Sequence, residues 1–205
     1  MVEKLSIFDA KSDWLRNEIY VHGVETELKE MVRSLDGPVR LSRRIDVNYT
    51  TTLKEWIKGR APIPLAVLEQ IVRLCTEFLQ KTIKDKVDSK GIRLSCRYSS
   101  QKVKFPNRIS PDLAYCVGLI LGDGSLTGDT SNRIGNWGLT VYFDNLQHMR
   151  HYDELIKKEF EMVTIHYPPI RNCYSSKVHS KPLHWFFRTY FDMHKNTYSI
   201  DIFMK

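Results

Sequence analysis

The sequence predicts an α+β protein in two units. An all-helical helix-turn-helix unit spans residues 1–80, a basic linker with short strands spans 81–109, and an αββαββα unit over an antiparallel sheet spans 110–205. Three observations predict this. Apolar residues from Val24 to about Leu79 recur at helical spacing. Beyond Ser110, helical stretches alternate with strand-like ones. Charge is also distributed unevenly: residues 1–80 carry 12 basic and 12 acidic side chains and 111–205 carry 10 and 10, while 81–110 hold nine Lys/Arg against Asp85 and Asp88.

The whole chain sets some bounds. Its 205 residues include 31 Lys+Arg and 24 Asp+Glu, a net charge of +7, and 42% hydrophobic residues, enough for a core and against wholesale disorder. The longest apolar run, Leu113–Leu121, is far below the roughly 20 residues of a membrane span. With no basic-then-apolar leader, a soluble, cytoplasmic protein is expected and no membrane partner. Cys75, Cys96, Cys116 and Cys173 lie far apart without a CxxC pair, which argues against a zinc ribbon and a dense disulfide framework.

In the first unit Leu28, Met31, Val32 and Leu35 mark one helix, stopped by Asp36-Gly37-Pro38. Leu41, Ile45 and Val47 mark a short second helix. Leu53, Trp56 and Ile57 mark a third, ended by Gly59, and Leu65, Leu68, Ile71, Val72 and Cys75 a fourth. Two short helices around a tight turn, braced by flanking helices, make a helix-turn-helix arrangement. In the basic segment, Ile92-Arg93-Leu94 and Lys102-Val103-Lys104-Phe105 alternate as short extended stretches with one cationic face. Such a strip is either a solvated linker or a DNA-backbone contact through Lys102, Lys104 and Arg108.

Residues 35–74 resemble the lambda-repressor-like helix-turn-helix family, through Leu41-Ser42-Arg43-Arg44-Ile45, Val47, Leu53, Trp56 and Gly59. The resemblance implies that the motif's second helix enters the DNA major groove. Tyr49, Thr50, Thr51, Thr52, Lys54, Glu55 and Lys58 then face the bases. The stretch from Val47 to Leu53 is one residue longer than the family's usual spacing. The threonine run also reads as simple helix N-capping.

The segment LAYCVGLIL, capped by Asp112 and closed by Gly122-Asp123-Gly124, is apolar all round and is expected to be buried on every side. Gly118 and Gly122, one turn apart, permit close approach of another backbone. Asp123 stands at the helix C-terminus, where the macrodipole disfavours a carboxylate by about 0.3–1 kcal/mol. A core helix ended by an Asp-Gly turn accounts for these residues. So does a glycine ridge packed on a twin helix. Two Asp123 carboxylates would then converge, and Mg²⁺ or another divalent cation would be shared between them, able to activate water and polarise a phosphodiester.

Val117-Gly118-Leu119-Ile120-Leu121-Gly122-Asp123-Gly124 resembles the signature of the LAGLIDADG homing endonucleases. The resemblance runs over 110–193: strand-like SLTGDTSNRIGNWGLTVYF with a Gly135-Asn136 turn, the amphipathic helix NLQHMRHYDELIKKEF, a strand pair over 162–178 and a closing helix in PLHWFFRTYFDM. It implies a sheet laid as a saddle on double-stranded DNA, site-specific phosphodiester hydrolysis, and a metal position at Asp123 beside Gly122. Lys177, then Arg171, are the basic residues assigned next to the catalytic metal. The DNA-facing set it implies is Ser125, Thr127, Asn132, Arg133, Asn136, Thr140, Tyr142, His166, Arg171, Tyr174, Ser176 and Lys177, about half of which alternation must turn inward.

Only one GDG-type motif is present. The resemblance therefore implies a homodimer through Gly118 and Gly122, or a missing second repeat, since KNTYSIDIFMK resembles the connection into one. A non-cleaving DNA-binding regulator and an RNA maturase are the alternative functions. His148 and His151 read as exposed residues, not metal ligands, and Trp185, Phe186 and Phe187 as core.

Overall fold

Ile19–His22, with the sequence IYVH, forms strand β1, with Ile19 and Val21 buried between half-exposed Tyr20 and His22. The computed structural model describes residues 4–9, 17–96, 101–128, 137–170 and 173–193. The chain divides into two compact units, Met1–Arg108 and Ile109–Lys205. It is a mixed α+β protein, with two antiparallel four-stranded sheets among the described residues. No helix among the described residues is long and apolar enough to cross a membrane, and all four cysteines are free.

In the first unit, β1 sits inside the sheet order β2-β1-β3-β4, where β2 is Ile63–Pro64, β3 Arg93–Cys96 and β4 Val103–Lys104. Around it lie α1 (Glu25–Ser34), α2 (Pro38–Arg44), α3 (Lys54–Ile57), α4 (Leu65–Leu74) and α5 (Glu77–Ser89). Each helix buries the face its periodicity predicts: Leu28, Met31 and Val32 in α1; Leu65, Leu68, Ile71 and Val72 in α4; Ile83 and Val87 in α5. Gly37 has φ of 93°, a left-handed conformation that glycine adopts without strain, and sets Pro38 at the first turn of α2. Glu27, only 2% exposed, is paired with Lys90, whose Nζ lies 2.6 Å from Oε1 and 2.7 Å from Oε2. That contact ties α1 to the end of α5 and keeps a buried charge from going uncompensated.

Two expectations are corrected here. The first unit is not all-helical, and residues 81–108 are not a linker: they complete α5 and supply two of the four strands. The reason is physical. The alternation at 92–94 and 102–105 does mark β3 and β4, but their place in a sheet depends on β1, which is fixed by distant partners on both sides, as in Val21↔Ile63 and Tyr20↔Ser95.

The second unit runs α6 (Pro111–Asp123), β5 (Gly124–Thr127), β6 (Gly138–Phe143), α7 (Leu146–Phe160), β7 (Ile165–Ile170), β8 (Cys173–His179) and α8 (Lys181–Phe191), the αββαββα order that the patterning predicts. Its sheet order is β5-β6-β8-β7. Side chains cap each helix start. Ser110 caps α6 in place of the expected Asp112, its Oγ accepting the Leu113 N–H at 3.0 Å; Asn145 Oδ1 accepts the Gln147 N–H at 2.6 Å, and Ser180 Oγ the Leu183 N–H at 3.2 Å. Helices α7 and α8 end at Glu161 and Asp192 in the left-handed conformation.

Leu139, Val141, Phe143 and Val178 of the sheet share the buried core with Met149, Tyr152, Ile156, Phe160 and α8's Leu183, Trp185, Phe186 and Phe187. The rings of Phe160, Phe186 and Phe187 meet with centroids 5.3–5.5 Å apart, so the aromatic run is core. Burial, with Glu159 and Asp112 nearby, pushes the Cys116 thiol up to about 12, which makes it an inert core residue.

Candidate nucleic-acid interface and metal position

Helix α6 buries Leu113, Cys116, Val117 and Ile120 and leaves its opposite side open. Ala114, Tyr115, Gly118 and Gly122 are exposed there, Tyr115 at 47%, and Leu119 is half-buried. The expectation of burial on every side is thus corrected for this chain: the sheet and α7 have room for only one face of the helix. A Cβ added at Gly118 or Gly122 meets nothing within 4 Å, so the ridge between them is uncovered. Gly124, by contrast, is indispensable. A Cβ there would lie 2.3 Å from the Ile120 carbonyl oxygen, and glycine alone lets the chain pass directly from α6 into β5.

That abrupt transition leaves Asp123 exposed as the last residue of α6, next to the strand that begins the sheet. The Gly122 carbonyl belongs to the last helical turn, whose oxygens lack intrahelical partners. Among the described residues no three His, Cys, Asp or Glu side chains gather as a metal cage. Asp123 and the Gly122 carbonyl thus stand at the helix end without such a cluster around them.

Strand register sorts the predicted DNA-facing residues. Ser125↔Thr140 and Thr140↔Lys177 form one cross-sheet row, continued by Ile165. Thr127↔Gly138↔His179 form the row on one side of it, and Tyr142↔Ser175↔Tyr167 the row on the other. These rows share the face opposite buried Leu139, Val141 and Phe143. Ser125, Thr127, Thr140, Tyr142 and Lys177 are brought together there. Thr140 is 8% exposed, closed in by its flanking partners, whereas Tyr142 and Tyr167 stand out at 49% and 47%.

Gly138 makes room for Lys177. A Cβ at 138 would meet the lysine Cε at 2.9 Å, so the side chain lies flat along the sheet. Its Nζ is 6.0 Å from the Tyr167 ring centroid. Burial, then the Lys177 charge, lowers the pKa of His179 in the adjacent row.

His166, Tyr174 and Ser176 fall in the rows of the other face; Ser176 is fully buried there and is a correction, while His166 keeps an exposed side chain. Tyr174 pairs with buried Phe143, and Ser176 with Val141, on the helix-covered face. Asp153 of α7 accepts from Ser176 Oγ at 2.5 Å and binds His166 Nε2 at 2.7 Å. The period-two alternation that places Lys177 on the open face places its neighbour Ser176 on the other. Arg171, Arg133, Asn132 and Asn136 lie outside the described residues. Sequence reasoning missed Ser175, His179 and Tyr167. Alternation from Lys177 would have found the first two, but Tyr167 needed the register.

In the first unit, Asn48 caps the turn after α2. Its Oδ1 accepts the Thr51 N–H at 3.0 Å and the Thr50 hydroxyl at 2.8 Å. Residues Tyr49–Leu53 form a π-helical turn, with the Leu53 N–H reaching the Asn48 carbonyl at 3.1 Å. This wider turn carries the chain from Asn48 directly into α3. Leu53 and Trp56 are buried, while Thr50, Thr51, Lys54 and Lys58 are exposed or half-exposed and Tyr49 is half-buried. Arg43 and Arg44 at the end of α2 are exposed as well. In the basic segment Lys102 and Arg108 are exposed and Lys104 half-buried. No known protein family matches the chain, and no curated protein does.

Proposed function

We propose that the chain is a site-specific endonuclease of LAGLIDADG type that hydrolyses phosphodiester bonds of double-stranded DNA with a divalent cation. On this reading it works as a homodimer through the Gly118–Gly122 ridge. One observation carries the reading: a helix with an uncovered glycine ridge ends in an exposed carboxylate, Asp123, at the edge of a polar sheet face. The αββαββα order supports it further. Asp123 and the Gly122 carbonyl are the groups that would hold Mg²⁺. The bound cation would supply the charge that polarises the scissile phosphodiester.

The chain's own residues account for the rest. Hydroxyls of Ser125, Thr127 and Tyr142 can donate to and accept from base edges, which is how duplex sequence is read, while buried Thr140 lies beneath them in the row. Lys177 offers a positive charge to a phosphate on the same face. In the first unit, Thr50, Thr51, Lys54 and Lys58 form the exposed side of the proposed helix-turn-helix, with Lys102, Lys104 and Arg108 as backbone contacts.

The test is selection of cleaved molecules from a library of randomised duplexes in Mg²⁺, with wild type and Asp123→Asn side by side. The expected result is a loss of about 100-fold or more in cleavage rate with duplex affinity retained. Cleavage that survives the substitution sinks the assignment of Asp123. Duplex binding by the wild type without any cutting leaves a DNA-binding regulator in its place.

A further inference from the structure

The first unit's sheet carries a cationic row of its own. His22 of β1 is paired with Arg93 of β3, and Arg93 with Lys104 of β4. Directly paired residues share a face, so three basic side chains from three strands stand side by side, about 10 Å from first to last. The neighbouring row, Val21, Leu94 and Val103, is buried on the opposite face. Against the cationic row opens a cavity of about 340 Å³ lined by His22, Gly23, Gly91, Arg93 and Lys102.

Two of its five lining residues are glycines, and a Cβ at either would meet nothing within 4 Å. Part of the wall is therefore bare backbone, open to a ligand. The ring of His22 is held in place by Ser95, whose Oγ lies 2.9 Å from Nε2. Glu25 is the acidic neighbour; its Oε1 accepts the Gly23 N–H at 3.3 Å. Burial first, then the charge of Lys102, lowers the pKa of His22, with Glu25 opposing and Arg93 reinforcing. Of the charges that act on His22, that of Lys102 thus outweighs that of Glu25.

We propose that this cavity is a phosphate-binding pocket in which Arg93, Lys102 and His22 grip one phosphate of a nucleic acid, with Lys104 beside Arg93 on the same face adding charge. A tetrahedral oxyanion takes donors from several directions at once, and the guanidinium fork matches two of its oxygens. The source is either an internal backbone phosphate or a 5′-phosphate end. The pocket rests on the nucleic-acid reading above only for that source, because its anion chemistry stands without any nuclease activity.

The experiment follows the His22 ring by NMR in the full chain while inorganic phosphate is added at ionic strength fixed with sodium chloride. Phosphate should produce a saturable shift and raise the His22 pKa, since a bound anion favours the imidazolium. Lys102→Gln should weaken phosphate binding about tenfold, the effect of one charge-assisted hydrogen bond. Arg93→Gln should do the same. Lys102 lies outside the strands, so its variant keeps the test decisive even if the Arg93 variant does not fold.

A His22 response that follows ionic strength alone, or a Lys102→Gln protein that titrates like wild type, overturns the pocket. Duplexes ending in 5′-hydroxyl or 5′-phosphate then separate the sources. A Lys102-dependent preference for the phosphorylated end identifies the end, and an equal loss for both identifies the backbone. Unchanged affinity of both duplexes in Lys102→Gln overturns the nucleic-acid source. Phosphate binding by a protein that never cuts DNA leaves the pocket standing and removes only the nuclease reading.

Discussion

On the first unit's sheet the row His22, Arg93, Lys104 sets three bases side by side, whereas the row Ser125, Thr140, Lys177, Ile165 on the second unit's sheet has one base beside two hydroxyls. Both rows come from the same device, antiparallel register, yet their chemistry differs. Dense positive charge attracts phosphates whatever the sequence and responds steeply to salt. Hydroxyls around a single lysine interact at short range and by direction, which suits discrimination more than attraction. On the proposed function, the two sheets divide the work of a nucleic-acid binder into holding and reading.

The comparison can be broken at several points. If the two faces belong to separately stabilised units, Phe187→Ala should lower the stability of the second unit by about 3–5 kcal/mol, the cost of emptying a buried aromatic site. Chemical denaturation followed by hydrogen exchange at β1 and β3 should then show the first unit unchanged. Equal loss of protection in both sheets would end the treatment of the units as separate.

Next in size is the division between charge and hydroxyls. Replacing Lys102, Lys104 and Arg108 together by Gln should reduce the slope of log affinity against log salt by about 0.9 for each phosphate that is no longer neutralised. Thr127→Ala should leave that slope alone and shift only sequence preference. A change of slope from Thr127→Ala, or none from the triple variant, would reverse the roles assigned to the two faces.

A smaller effect is expected at the uncovered ridge. Gly118→Ala meets no atom within 4 Å in the chain, so it should stabilise α6 by up to about 1 kcal/mol through helix propensity. In the same protein, self-association measured by analytical ultracentrifugation should weaken. Association unaffected by Gly118→Ala would locate any dimer contact elsewhere.

Least of all should be the change at Asp88, a buried carboxyl whose Oδ1 has no hydrogen-bond partner among the described residues. Burial raises its pKa, opposed by Ser6 and Lys4. A carboxyl with a raised folded pKa is a liability once ionised, so it detracts from stability above that pKa and ceases to do so as pH falls through it. Asp88→Asn should accordingly be more stable than wild type near pH 7, with the gain fading toward acid. A gain that persists unchanged into acid would point to packing instead of charge.

Much of this was legible in residues alone. The helices of both units announced themselves through long apolar faces, such as Leu28, Met31 and Val32 or Met149, Tyr152 and Ile156, because a face buried by packing repeats every three or four positions. The turn at Gly124 was legible too, although the collision that requires glycine there appears only with the Ile120 carbonyl in place. Strand β1 was not legible: four residues of alternating burial have no meaning until β3 lies beside them. The candidate site was half legible. Lys177, Thr140 and Ser125 do share one row of the sheet, while polarity drew His166 and Ser176 along with them although α7's Asp153 claims both.

By itself the sequence determined the helices with long apolar faces, though not α5, whose residues beyond 80 read as a basic linker, and that an acid follows a glycine-bearing helix, because these depend on spacing along one chain. Only the tertiary structure decided that residues 81–108 close a sheet, that one side of α6 stays open, and which polar side chains share a face. Those outcomes depend on pairing between segments far apart in the chain. A register shift of one residue would exchange the two faces of a strand without altering a letter of its composition.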